Sequence, residues 1–146
     1  MSSERRTENA YDRALRALHH RDRTEREIDE HLRDRGFSED ERAEALVALR
    51  RTGLVNDQRF AGARAARLAE RGEGNALIRA RLAAAGIPNE AVQEALAALD
   101  DEGTRARRIV ERRGRSPKTA RYLGGKGFAD DVVRSVIAED RDGELG

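Results

Sequence analysis

Hydrophobic positions along this chain recur at helical spacing, and three times they are closed by the same punctuation. Ile28-x3-Leu32-x3-Gly36-Phe37, Ile78-x3-Leu82-x3-Gly86-Ile87 and Thr119-x3-Leu123-x3-Gly127-Phe128 share one layout. Residues four apart lie on one helix face. A glycine just past the last turn supplies the left-handed conformation that ends a helix, and the hydrophobe after it packs back on that turn. A second stripe follows each glycine at matching offsets: Ala45, Leu46 and Leu49, then Ala95, Leu96 and Leu99, then Val136 and Ile137. The chain is predicted to turn the same way three times.

Cap residues place the helix starts. Thr24-x-x-Glu27 and Ser38-x-x-Glu41 are capping boxes, in which a hydroxyl and a carboxylate satisfy exposed backbone donors. Asn56 or Asp57 is expected to cap the helix carrying Phe60, and Asn75 the one carrying Ile78. Ser116-Pro117 puts proline at a first helical position, where its missing N–H costs nothing. These signals predict nine helices, at residues 9–20, 24–35, 39–52, 57–71, 75–85, 89–100, 103–113, 117–126 and 130–139. Grouped in threes they give an all-α chain of three tandem three-helix repeats, at residues 9–53, 54–101 and 102–140, with polar, frayed ends at 1–8 and 141–146. Units this small and alanine-rich bury little apolar surface alone. Neighbours are therefore expected to share an interface in an elongated, curved array wound in either hand. One compact bundle with chance likeness between its helices is the competing arrangement.

Composition agrees and removes several function classes. The 146 residues are 39% charged and 38% apolar, only 3% are aromatic, and proline occurs twice. Such a mixture suits helices and starves a β-sheet. With no cysteine, disulfides, thiolate chemistry and cysteine metal sites are excluded. No apolar run of bilayer length and no leader-like start is present, so a cytoplasmic protein with no membrane partner is expected. His19, His20 and His31 lack metal-ligand spacing. Gly72-Glu73-Gly74 lacks the lysine and strand context of a phosphate loop, and Gly124-Gly125 is expected to serve packing or a helix end. No nucleophile motif or paired-carboxylate set stands out. No enzyme and no cofactor are expected.

Charge is informative only when divided by position. The net charge is +1, yet residues 104–126 hold Arg105, Arg107, Arg108, Arg112, Arg113, Arg115, Lys118, Arg121 and Lys126 against Glu111, a net of +8. The last twenty residues hold six acids against Arg134 and Arg141. The basic block can align guanidinium groups along a nucleic-acid backbone or meet an acidic protein, and a solvated basic face is the plain alternative. Only the aromatics Tyr122 and Phe128 lie near it, and Phe128 reads as core, so a base-stacking platform is not expected. A second set, Arg64, Arg67 and Arg71 with Arg79 and Arg81 on the next helix, can line the concave side of a bowed array. Asp57, Glu70 and Glu90 are candidates to neutralise part of it.

The segment Gly53-Leu54-Val55-Asn56-Asp57-Gln58-Arg59-Phe60-Ala61, the Gly72-x-Gly74 connector and the recurring Leu-x3-Gly-(Phe/Ile) turns resemble the RecX regulatory family over about residues 9–139. The resemblance implies three tandem three-helix repeats and a non-enzymatic modulator, usually an inhibitor, of the RecA recombinase. Such proteins lie in the groove of the RecA filament on single-stranded DNA and oppose filament growth, ATP hydrolysis and strand exchange in recombination and the DNA-damage response. On that basis Arg64, Arg67, Arg71, Arg79 and Arg81 are assigned to the filament. Arg105, Arg107, Arg108, Arg112, Arg113, Arg115, Lys118, Arg121 and Lys126 are assigned to nucleic acid, single-stranded and also double-stranded, or to an acidic partner. Three positions depart from the pattern. Arg42 stands where the other repeats have Val92 and Val133, Glu73 sits in a connector that is often basic, and Pro88 replaces a hydroxyl cap. No dominant dimer seam is visible, so a monomer is expected. An independent helix-turn-helix-like DNA-binding protein and a helical adaptor for another protein are the competing functions.

Overall fold

The three glycine turns form alike. Gly36, Gly86 and Gly127 have φ of +88°, +87° and +91°. In each, the amide of the next residue reaches back five positions, from Phe37 to Leu32, Ile87 to Leu82 and Phe128 to Leu123, all at 3.1 Å. Phe37, Ile87 and Phe128 are buried against the helix they terminate, as the sequence spacing predicts.

The structure, a computed structural model, describes residues 8–139; the expected frayed ends at 1–7 and 141–146 lie outside them. Glu8, expected to be frayed, is held at its carboxylate by Arg13 and Arg16. The described residues are all-helical, with nine helices and no strand. They are α1 (Ala10–His20), α2 (Glu25–Asp34), α3 (Glu39–Arg51), α4 (Asp57–Glu70), α5 (Asn75–Ala84), α6 (Asn89–Ala97), α7 (Glu102–Arg113), α8 (Pro117–Gly125) and α9 (Asp130–Ala138). Both capping boxes are formed, and Asn56 and Ser116 cap as expected. Two details differ. Gly74, not Asn75, is the N-cap of α5, because Asn75 already has helical geometry. The helix predicted to run to residue 100 ends at Ala97. There the chain tightens, with Leu99 N–H bonded to Leu96 O, so that Asp101 can cap α7 through the amides of Gly103 and Thr104.

Three separate apolar clusters run along the chain, one for each consecutive trio of helices. The first gathers Ile28, Leu32, Phe37 and Leu49, the second Phe60, Ile78, Leu82 and Ile87, and the third Ile109, Val110, Leu123 and Phe128. The most extensive helix contacts are between the first and third helix of each trio: α1 with α3, α4 with α6, α7 with α9.

Between trios the joints are polar and obey one rule. The N-terminus of each second helix abuts the C-terminal turn of the second helix in the following trio. At the first joint the Thr24 hydroxyl donates to Ala85 O at 2.7 Å, and Arg26 donates to Ala84 O. At the second, Gly74 N–H donates to Lys126 O at 2.7 Å and Ala76 N–H to Gly127 O at 3.2 Å. A carboxylate from the first residue of the following trio completes each joint. Asp57 Oδ1 accepts from Glu25 N–H at 2.9 Å, and Glu102 Oε2 from Asn75 N–H at 2.6 Å. Asp57 thus serves α2, not the arginines of its own helix that the sequence offered as its partners. Helices α8, α5 and α2 stack head to tail, each positive N-terminal end against a negative C-terminal end.

The joint leaves no room for a side chain at Gly74. A Cβ there would lie 2.5 Å from the Gly127 carbonyl carbon and 2.5 Å from Phe128 N, both backbone. Gly124, exposed within α8, has nothing within 4 Å of that position. Gly74→Ala is expected to lower the thermal midpoint by separating the second and third trios, costing roughly 1–3 kcal/mol. Gly124→Ala should raise it, by about 0.5–1 kcal/mol; thermal unfolding followed by circular dichroism reads both signs.

Candidate nucleic-acid interface

The basic block does not act as a single surface, because the fold turns its members in different directions. Arg105 is buried at 7% exposure. Its guanidinium donates to Glu73 O at 2.9 Å, to Asp100 O at 2.9 Å and to the Asn75 side chain. Burial lowers its pKa from the usual value, and the carboxylates of Glu102, Asp101 and Asp100 oppose that shift. Placed among nucleic-acid contacts by its sequence position, Arg105 is turned into the joint between the second and third trios, with each of its three nitrogens engaged. Arg107 pairs with Glu139 at 2.9 Å and Arg108 with Asp100 at 2.8 Å.

Two of the remaining cations, Arg113 and Lys126, meet at Tyr122 where α4, α7 and α8 end. Tyr122, half-buried on α8, lies under the Arg113 guanidinium at 3.5 Å from its ring centroid, with the Lys126 ammonium 6.0 Å away. A Cβ on Gly72 would lie 3.8 Å from the Tyr122 hydroxyl and 3.9 Å from Lys126 Cε, so this cluster adjoins the end of α4 and its C-cap Arg71. Arg112, Lys118 and Arg121 are exposed and hold no ion pair among the described residues, and Arg115 is exposed as well. The sequence placed Tyr122 beside the block; the structure makes it the ring on which two of the cations rest.

The second arginine set also divides. Arg67, Arg71 and Arg79 are exposed with no ion pair among the described residues, while Arg64 is half-buried 5.0 Å over the Phe60 ring. Arg81 is tied at 2.8 Å to Glu73, whose side chain is 6% exposed. Glu73, a departure from the pattern in sequence, thus joins the second and third trios through its carbonyl, which accepts from Arg105, while its carboxylate holds Arg81 of its own trio. Arg42 is likewise structural, bonded to Asp29 and to Phe37 O.

Between the two sets runs a groove of about 360 Å³. Arg105, Arg108 and Arg112, spaced to lie on one face of α7, form its basic wall. Ala69, Leu99, Ile109 and Phe128 give it an apolar floor, Glu70 also lines it, and Asp100 lies on the wall itself, paired with Arg108. Among the described residues no cluster of three histidines or acids could hold a metal ion, and no helix is long and apolar enough to cross a membrane. His31, half-buried, has its pKa lowered by burial and by the nearby Arg35, Arg23 and Arg13.

Residues 10–49 match the family model for the first three-helix domain of RecX, and residues 56–96 that for the second. The chain belongs to the RecX family. The regulatory protein RecX of Chromohalobacter salexigens is 35% identical over 136 residues, covering 87% of this chain and 90% of that protein. That of Mycolicibacterium vanbaalenii is 34% identical over 164 residues, covering 96% and 89%. That of Geobacillus kaustophilus is 33% identical over 143 residues, and there the match spans 53% of the relative's length. The crystal structure of RecX from Lactobacillus salivarius superimposes with a TM-score of 0.78 at 24% identity, over 89% of this chain and 93% of the other. A second RecX crystal structure gives 0.73 over 87% of this chain. Tandem three-helix domains are thus the RecX architecture that this chain shares.

Because Arg105 serves the joint and Arg112 the solvent, the two should separate in a stability assay. Arg105→Met is expected to cost roughly 2–4 kcal/mol in urea unfolding, since it strands the buried Glu73 carbonyl and loses the part-buried bonds to Asp100 O and the Asn75 amide oxygen. Arg112→Glu should stay within about 0.5 kcal/mol of the parent.

Proposed function

We propose that this RecX-family protein works by docking, with no bond made or broken. It lies along the RecA recombinase filament and the single-stranded DNA that the filament holds, opposing filament growth, ATP hydrolysis and strand exchange. The observation that supports this reading is the meeting of Arg113 and Lys126 at Tyr122 beside the end of α4 and its C-cap Arg71, with Arg112, Lys118 and Arg121 exposed and without an ion pair among the described residues. Phosphate contacts of this type are blind to sequence and suit a track rather than an operator site. Exposed Arg67, Arg71 and Arg79 extend the same charge along the second trio and are assigned to the filament. Arg112, Arg113, Lys118, Arg121 and Lys126 are assigned to DNA or to an acidic stretch of the filament. Weak contacts repeated along a row of units add to a useful avidity. A cytoplasmic monomer fits this role.

The test is a titration. Substoichiometric protein is expected to slow DNA-dependent ATP hydrolysis by the cognate RecA, and a chain carrying Arg112→Glu, Lys118→Glu and Arg121→Glu to lose most of that effect while keeping its thermal midpoint. Unchanged hydrolysis at an equal molar ratio would overturn the reading. Retarded migration of particular duplexes without RecA would favour an independent DNA-binding protein. Four to six phosphate contacts to a single strand should give a log–log salt slope of roughly −3 to −4 in fluorescence anisotropy; a flat response would remove DNA from the account.

A further inference from the structure

Arg113, in the last turn of α7, rests on a ring where Arg107 and Arg108 of the same helix hold acids. Its guanidinium carbon lies 3.5 Å above the Tyr122 centroid, and it has no ion pair among the described residues. At that height the guanidinium has to lie nearly parallel to the ring, because tilting it would push a nitrogen inside the contact distance of about 3.5 Å. The other arginines over rings are looser, Arg64 at 5.0 Å above Phe60 and Arg105 at 5.9 Å above Phe128. The ring beneath Arg113 is itself held in place. Tyr122 is half-buried on α8, its hydroxyl 3.8 Å from where a Cβ on Gly72 would stand. Arg113 is exposed, and Gly114, with φ of +90°, ends α7 directly after it. One face of the guanidinium therefore lies on the ring while the other meets solvent. An unpaired nucleobase stacks on such a plane, whatever its identity, since every base has a π-face. Aromatic residues alone offer no platform here; the guanidinium supplies the plane. Its fixed position also removes most of the ordering cost that a free arginine would meet on binding. The Lys126 ammonium, 6.0 Å from the same centroid, is placed to take the phosphate beside a base so stacked.

We propose that Arg113, held flat by Tyr122, is a stacking site for one unpaired nucleobase, so that the chain favours single-stranded over duplex DNA. In a duplex the faces of each base are covered by its neighbours and are out of reach. The proposal rests on the DNA contact proposed above and adds a base to it. The probes are oligothymidylate and an abasic strand of equal length, which keeps the phosphates and lacks the bases. In fluorescence anisotropy the parent chain should bind oligothymidylate about five- to tenfold more tightly than the abasic strand, the lower end of what one stacked base contributes. Arg113→Lys keeps the charge and removes the plane. It should bind the abasic strand and a duplex as the parent does and lose the preference for oligothymidylate. Tyr122→Leu, which keeps an apolar side chain and removes the ring, should lose the preference as well; if that variant does not fold, the exposed Arg113 decides alone. Equal affinity of the parent for the two strands, or a preference that survives Arg113→Lys, would overturn the stack and leave the phosphate contact standing. A loss on the abasic strand as large as that on oligothymidylate would do the same, since charge alone would then account for it. Binding of neither strand by the parent would overturn the stack together with the DNA contact on which it rests.

Discussion

The architecture depends on how a helix end is satisfied. Each helix leaves four amides at its start and four carbonyls at its finish without intrahelical partners. In the second helix of a trio the chain answers this need across a trio boundary. The start of α2 takes Asp57 and the turn after α5, and the start of α5 takes Glu102 and the turn after α8. Three apolar clusters that do not merge are held in a row by these bonds. The shared interface expected between neighbours therefore exists, but hydrogen bonds and a carboxylate carry it where apolar burial was the anticipated means. That choice explains the glycines at the joint: Gly74 and Gly127 bring two backbones closer than any Cβ allows.

The same joint sorts the charges. A guanidinium close to a helix end with bare carbonyls beside it is drawn in, as Arg105 is, and an arginine two turns further along is left to solvent, as Arg112 is. Near-neutral net charge thus coexists with a strongly cationic patch. Acids such as Asp57 and Glu102 are consumed at the joints, and cations in excess are left exposed along α7 and α8. The cationic patch consists of basic residues that the joints do not use.

Much of this was legible in the sequence, for identifiable reasons. The Gly-hydrophobe turns and capping boxes are local, so Gly36-Phe37, Gly86-Ile87 and Ser38-x-x-Glu41 reveal helix ends without any knowledge of neighbours. Helix boundaries came within three residues for the same reason, and the one early stop, at Ala97, reflects a tertiary demand on Asp100 and Asp101. What is not local was hidden. Asp57 reads as a cap for its own helix, yet its carboxylate serves the start of α2, 32 residues earlier. Arg105 is indistinguishable from Arg112 as a letter in a basic run, and only the pairing of Glu73 O and Asn75 with α7 tells them apart. Tyr122 carried a faint signal: an aromatic four residues from Lys126 lies on the same helical face.

The head-to-tail column of α8, α5 and α2 has one further consequence. Since every member points the same way, the row is vectorial: turning it end for end does not restore it. An arrow of this sort meets a directional ligand, such as a strand that differs in its 5′ and 3′ senses, in two inequivalent orientations of unequal energy. On the proposed reading, forward and backward differ for the chain without a single base being read.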